Sequence, residues 1–214
     1  MKKNLTELVF ILDRSSSMAG MTEDTVGGFN SLIEKQKGEP GEAYVSTVLF
    51  STQSTVLHDR VRVKDVQPMT RGDYCACGCT ALLDAVGDAI RHIGNVHKYA
   101  REDDVPEHTL FVITTDGMEN ASTRYSAEDV KRLISRQKEK YGWEFLFLGA
   151  NIDAVSTAAA MGISADRAAN YHNDSQGVAT NFAALGQAVT TARASRPLSA
   201  DWKSGIDQDY HRRR

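Results

Sequence analysis

The chain has 214 residues, 41% of them hydrophobic, and a formal net charge of −3. That is one domain's worth of sequence with an ordinary globular share of core formers. The charge excludes the broad basic field of a nucleic-acid partner, and no apolar run reaches the ~20 residues that span a bilayer.

In chain order, Glu7 to Leu12 is a compact apolar run and predicts a buried first strand. The stretch Leu8 to Leu12 is too short for a signal-peptide core and runs into Asp13 and Arg14, so a cytoplasmic location is the expectation. Thr22 to Lys37 carries Val26, Phe29 and Ile33 at helical spacing and is stopped by Gly38 and Pro40. Ala43 to Phe50 and Thr55 to Val63 read as strands close enough to form a hairpin, which predicts one antiparallel edge on an otherwise parallel sheet. Thr80 to about Val96 is helical, with Val86, Ala89, Ile90 and Ile93 on one face. Leu110 to Thr114 is a buried strand, and Ser126 with Asp129 three residues on opens a further helix. Trp143 to Leu148 (strand), Asp153 to Met161 (short helix), Ala168 to Tyr171 (short strand) and Val178 to Ala192 (helix) complete the series. From Ser195 on the sequence is polar and turn-rich; we expect a domain over 1–194 and a polar tail over 195–214 ending in the solvated run Arg212-Arg213-Arg214.

The alternation implies a three-layer, doubly wound α/β fold with a mostly parallel sheet. Such folds bind ligands beyond the carboxyl ends of their strands. Three turns there hold oxygen-bearing side chains. Asp13-Arg14-Ser15-Ser16-Ser17 puts a carboxylate and two hydroxyls on alternate positions, which extended backbone points the same way. Thr115-Asp116-Gly117 adds a second carboxylate, with Gly117 permitting a tight turn. Gly78-Cys79-Thr80 adds a hydroxyl at the start of a helix. Two carboxylates and three hydroxyls suit a hard cation such as Mg2+ and are too poor in carboxylate for a dedicated Ca2+ cage. The hydroxyls are neutral, so the bound ion keeps positive character and attracts an outside acid.

These residues, Asp13-x-Ser15-x-Ser17, Thr80 and Thr115-Asp116-Gly117, resemble the metal-ion-dependent adhesion site of von Willebrand factor A domains, and the resemblance covers roughly residues 5 to 194. It implies a Rossmann-like sheet and a Mg2+ or Mn2+ ion held by Asp13, Ser15 and Ser17 from the first loop, Thr80 from the second and Asp116 from the third. It also implies a non-catalytic binding module, in which an Asp or Glu of a partner protein completes the coordination. Ser16 stands where that family often has Gly. Single-domain bacterial members often work beside AAA+ ATPases or in systems with kinases and phosphatases, so the resemblance implies a protein partner of that kind, while charge and hydropathy predict neither nucleic acid nor membrane.

Three alternatives stand beside this reading. Haloacid-dehalogenase-like phosphatases also place an Asp at the end of a first buried strand, but they need a second Asp two residues on, and positions 15 and 17 are Ser. A serine hydrolase is disfavoured because Gly-x-Ser-x-Gly is absent. A metal-free scaffold of the same fold stays open. Cys75, Cys77 and Cys79 are an odd set that fits a reducing compartment and reads as incidental, with a redox or soft-metal role as the alternative. Glu119 and Asn120 read as a solvated loop or as partners that orient the ligands. Asn151 and Asp153 read as rim residues or as a turn and helix cap. Tyr74, Met18 and Met21 either surround the ion with apolar area or pack locally. Specificity for a partner is assigned to loop residues Arg14, Met18 to Glu23, Arg71 to Cys79 and Met118 to Arg124.

Overall fold

The computed structural model describes residues 1–213. Its six strands are β1 (Lys2–Asp13), β2 (Glu42–Phe50), β3 (Ser54–Arg62), β4 (Pro106–Thr115), β5 (Glu144–Ala150) and β6 (Ala168–Tyr171). They form one sheet in the order β3-β2-β1-β4-β5-β6, parallel throughout except for the antiparallel pairing of β3 on β2. The helices are α1 (Thr22–Lys37), α2 (Leu82–Tyr99), α3 (Ala127–Tyr141), α4 (Ala154–Ala160), α5 (Ser175–Arg193) and α6 (Ser204–Arg212). The expected doubly wound sheet with one antiparallel edge is therefore the observed one.

Side-chain alternation along β1 divides the core. Leu8, Phe10 and Leu12 face the layer that includes α1, α5 and α6, through Phe29, Ile33, Leu185, Val189 and Ile206. Val9 and Ile11 face the layer of α2, α3 and α4, through Val86, Ile90, Val130, Ile134 and Ala158. The chain winds outward from β1 in both directions, to β2 on one side and β4 on the other. The crevice between the carboxyl ends of β1 and β4 is thus the topological switch point.

Several boundaries differ from expectation. Strand β1 starts at Lys2, because pairing with β2 and β4 extends it beyond its apolar run. Helix α2 starts at Leu82, with Ala81 at its N-cap, so Thr80 precedes the helix. Helix α5 starts three residues early, where the Asp174 carboxylate accepts the Gly177 N–H. Ser126 does form the expected box with Asp129 at the start of α3.

The segment expected as a polar tail folds instead. A turn over Ala200–Lys203 leads into α6, and Leu198, Trp202 and Ile206 are buried in the α1–α5 layer. Leu198, Trp202 and Ile206 recur every four residues, a helical stripe that the polar, turn-rich composition around it obscured. Arg213 of the basic end is paired with Asp174 and Asp209, while Arg214 lies outside the described residues. Among the described residues no helix is long and apolar enough to cross a membrane.

Candidate metal centre

Strand register builds the centre. Leu12 lies opposite Thr114, so Asp13 and Thr115 end adjacent strands side by side. The Thr115 hydroxyl donates to Asp13 Oδ2 at 2.5 Å, and the Ser15 N–H donates to Asp13 Oδ1 at 2.7 Å. Beyond Ser15, which is extended, the backbone tightens into a 3-10 turn over Ser16–Met21. Ser17 therefore owes its direction to that turn and not to the alternation of an extended chain. Its Oγ lies 3.1 Å from Ser15 Oγ and donates to Asp116 Oδ1 at 2.6 Å.

Thr80 enters from the second loop. A Cβ added at Gly117 would lie 3.3 Å from Thr80 Oγ1 and 3.8 Å from Ser17 Oγ, so both hydroxyls flank that position. The backbone of Gly117 is not left-handed; the residue is needed for space and not for φ. All five expected ligands, Asp13, Ser15, Ser17, Thr80 and Asp116, thus converge on one crevice. Asp13, Ser15, Thr80 and Asp116 are buried and Ser17 is exposed at the mouth.

The electrostatics of the crevice are one-sided. Burial pushes the Asp13 carboxyl above the ordinary carboxylate range; the Thr115 hydroxyl and the Ser15 amide and hydroxyl pull it back, and the Asp116 charge raises it further. Burial raises Asp116 as well, against donation from Ser17 and Asn173. Among the described residues neither carboxylate has a Lys, Arg or His ion-pair partner. Two buried carboxylates with only neutral donors around them are a costly arrangement that a cation relieves. This donor set, two carboxylates and three hydroxyls, fits a hard divalent ion.

The three loops are pinned to one another by groups that motif reading ranked low. Asn120 Oδ1 accepts the Thr80 N–H at 2.9 Å, and the Asn120 N–H returns a bond to the Thr80 carbonyl at 3.1 Å. Glu119 Oε2 accepts the Leu83 N–H at 2.9 Å in the first turn of α2, and its Oε1 accepts the N–H groups of Ala121 and Ser122. The Asp84 carboxylate accepts the N–H groups of Thr123, Arg124 and Tyr125. Glu119, Asn120 and Asp84 therefore lock the loop after Asp116 onto the entry of α2, which sets Thr80 against Asp116. Spacing alone hides this, because the bonds join residues about 40 positions apart. The Gly78 carbonyl accepts from the Ser16 N–H and hydroxyl, and the Cys77 N–H donates to the Arg14 carbonyl, so the cysteine loop is tied to the first loop.

Other expectations resolve locally. Tyr74 is buried, its hydroxyl donating to the Asp13 carbonyl, and Met18 is buried while Met21 packs against the same core. Asn151 adopts a left-handed turn and Asp153 caps α4 through the Ser156 N–H, so neither joins the centre. Cys75, Cys77 and Cys79 are exposed free thiols, and among the described residues no three His, Cys, Asp or Glu side chains group to hold a metal. Asn173, overlooked in the sequence, donates through Nδ2 to Asp116 Oδ2 at 2.9 Å.

No protein-family model matches the sequence. No curated protein matches it either. Its fold, however, is similar to solved structures. Proximal thread matrix protein 1 from the mussel byssus superposes with a TM-score of 0.59 at 16% identity, over 87% of this chain and 46% of that one. The same mussel protein with a zinc-occupied MIDAS motif gives 0.57 at 16% identity, over 86% and 46%. The von Willebrand factor type A protein from Catenulispora acidiphila gives 0.57 at 17% identity, over 86% and 42%. The vWF domain of the type V pili tip protein Mfa5 from Porphyromonas gingivalis gives 0.61 at 10% identity, over 91% and 98%. The chain spans under half the length of the mussel and Catenulispora chains. Topology, the switch-point crevice and these likenesses together identify the fold as that of von Willebrand factor type A domains.

Proposed function

We propose that this chain is a metal-dependent protein-binding module in which Asp13, Ser15, Ser17, Thr80 and Asp116 hold a divalent cation, Mg2+ or Mn2+, and an Asp or Glu of a partner protein completes its coordination. The observation that carries this reading is the pair of buried carboxylates without a cationic partner, set beneath an exposed hydroxyl at the mouth of the crevice. When bound, the ion supplies an electrophilic point for an incoming carboxylate. The chain's own residues do the rest: Ser15 and Thr115 orient Asp13, Ser17 orients Asp116, and the Glu119–Asn120–Asp84 latch fixes Thr80. The zinc-occupied site of the structurally similar mussel protein supports a divalent ion in this fold.

The rim supports docking over turnover. Met118, next to Asp116 and Gly117, is 74% exposed, and the exposed thiols of Cys75, Cys77 and Cys79 lie on the loop before Thr80. Exposed, polarizable side chains on two of the loops that form the crevice suit a partner surface with one acidic residue amid apolar neighbours. Ser15, two residues beyond Asp13, stands where a phosphatase of the haloacid dehalogenase type needs its acid, and its hydroxyl is far too weak an acid to deliver a proton at an ordinary pH.

The test is calorimetry of Mg2+ and Mn2+ binding to the wild type and to Asp13→Ala. We expect the variant to lose binding while its Tm in EDTA stays at or above that of the wild type, because a buried, uncompensated carboxylate has been removed. Retained Mg2+ binding by Asp13→Ala would refute the ligand assignment. A pull-down with and without EDTA then reports whether partner binding needs the ion.

A further inference from the structure

The recognised motif draws on three loops, but a fourth touches the same carboxylate. Between β6 and α5, Asn173 Nδ2 donates to Asp116 Oδ2 at 2.9 Å, while Ser17 Oγ donates to Asp116 Oδ1 at 2.6 Å. Each oxygen of Asp116 is thus met from a different side. An ionised carboxylate only accepts, so the amide must turn its NH2 toward Asp116, which leaves Asn173 Oδ1 as an acceptor one amide width away. That Oδ1 is buried and has no hydrogen-bond partner among the described residues. Buried acceptors are seldom left so, and a group that keeps one beside a charged centre is a candidate for function.

The loop that presents Asn173 is held firmly. Asp174 caps α5 through the Gly177 N–H at 2.8 Å, and its N–H bonds to the His172 carbonyl at 2.9 Å. A Cβ on Gly177 would come within 2.0 Å of that carbonyl, so the chain passes here only as glycine. From outside, α6 and the residue that follows it brace the two neighbours of Asn173: Arg213 bonds Asp174 Oδ2 at 2.5 Å, and His172 Nε2 lies 3.1 Å from the Tyr210 carbonyl. Asn173 therefore has little freedom to turn away from Asp116.

We propose that Asn173 is a positioning residue of the metal centre: its Nδ2 fixes the rotamer of Asp116, and its Oδ1 offers a buried acceptor to the hydrated cation. This rests on the proposal that the centre binds a divalent cation. Partners of this kind, one bond removed from a metal, typically contribute 10–100-fold in affinity.

The experiment measures Mg2+ binding by calorimetry, and Tm in EDTA and in saturating Mg2+, for the wild type, Asn173→Ala and Asn173→Asp. For Asn173→Ala we expect affinity to fall by about tenfold or more, with Tm in EDTA near that of the wild type. Asn173→Asp places a third carboxylate beside Asp116; we expect its Tm to drop in EDTA and its Mg2+-induced gain in Tm to exceed that of the wild type. A purely structural residue would lower Tm equally in EDTA and Mg2+ and leave affinity unchanged, and either result for Asn173→Ala overturns the proposal. Absence of Mg2+ and Mn2+ binding by the wild type itself is a distinct outcome, which removes the metal reading and this inference with it.

Discussion

Asp84 shows how much a single side chain can organise. Burial pushes its carboxyl up, but the N–H groups of Thr123, Arg124 and Tyr125, with the Arg124 charge, outweigh that and hold it below the ordinary carboxylate range. A depressed carboxyl stabilises the fold above its unfolded pKa and loses that contribution as pH falls through its folded value. We expect Asp84→Asn to cost about 1–3 kcal/mol at pH 7, the usual penalty for unsatisfied buried donors. The gap to the wild type should narrow below about pH 4, where the unfolded Asp begins to protonate. Urea denaturation at pH 7 and at pH 3.5 measures both; a gap that is constant with pH would show that the carboxylate charge is not what Asp84 contributes. Asp13 and Asp116 have the opposite sign. Both are raised by burial, so ionising them opposes folding in the absence of a cation, and the carboxylates proposed to hold the ion work against the stability of the apo fold.

Among the elements, α1 and α5 are joined by a clamp as well as by apolar packing. The guanidinium of Arg193, in the last turn of α5, donates to the carbonyls of Gln36, Glu39, Pro40 and Gly41 and to Gln36 Oε1. These are the carbonyls left over as α1 ends and the chain turns toward β2. Arg193 is 95% buried by this arrangement, being only 5% exposed, and burial lowers its pKa from the ordinary arginine value. We expect Arg193→Ala to cost about 2–4 kcal/mol, since it removes a buried guanidinium that serves five acceptors at once, two of them on the buried Gln36. Arg193→Lys should recover under half of that, because a single ammonium cannot span five acceptors spread over four residues. Chemical denaturation of both variants decides this; a lysine variant as stable as the wild type would mean that charge alone suffices. In the same interface a Cβ on Gly28 would meet the Phe182 ring at 2.3 Å, so the two helices approach at a point that admits no side chain.

For the whole molecule, the proposed ion would be linked to the stability of the fold. A ligand that binds only the folded state at 100 times its Kd adds about 2.7 kcal/mol. For a chain of this size that is roughly 5–10 °C in Tm. We expect Mg2+ to raise Tm by this order, EDTA to reverse it, and Asp13→Ala to show no response. A differential scanning fluorimetry titration reads all three, and a response of Asp13→Ala equal to that of the wild type would place the ion elsewhere. The C-terminal segment belongs to the same unit. Trp202 and Ile206 close the α1–α5 layer, and Arg213 ties α6 to the Asp174 cap. Truncation after residue 194 should therefore lower Tm, where a solvated tail would leave it unchanged.

Local pattern determined most of this protein. Apolar runs and helical spacing in a chain of alternating elements specify the doubly wound sheet, because each face of a strand must be covered. The position of Asp13 at the end of β1 and of Asp116 after β4 then places both carboxylates at the switch point, whatever the intervening loops do. The two carboxylates of the proposed ligand set were legible for that reason, since they sit where strands end; Ser15, Ser17 and Thr80 came from the resemblance. Only the tertiary structure decided how the set is held. Glu119 and Asp84 look like ordinary loop and helix acids until the loop after Asp116 folds onto α2, and Asn173 lies 57 positions from the carboxylate it touches. Trp202 and Ile206 stand at helical spacing, but in so polar a segment that only their packing shows them to be core. Spacing reveals what the backbone repeat imposes, whereas a bond between distant side chains exists only once the sheet and its helices have brought the two ends together. The resemblance pointed to five oxygen-bearing residues that could take a cation at the head of the sheet; the fold adds that both carboxylates are buried without a countercharge.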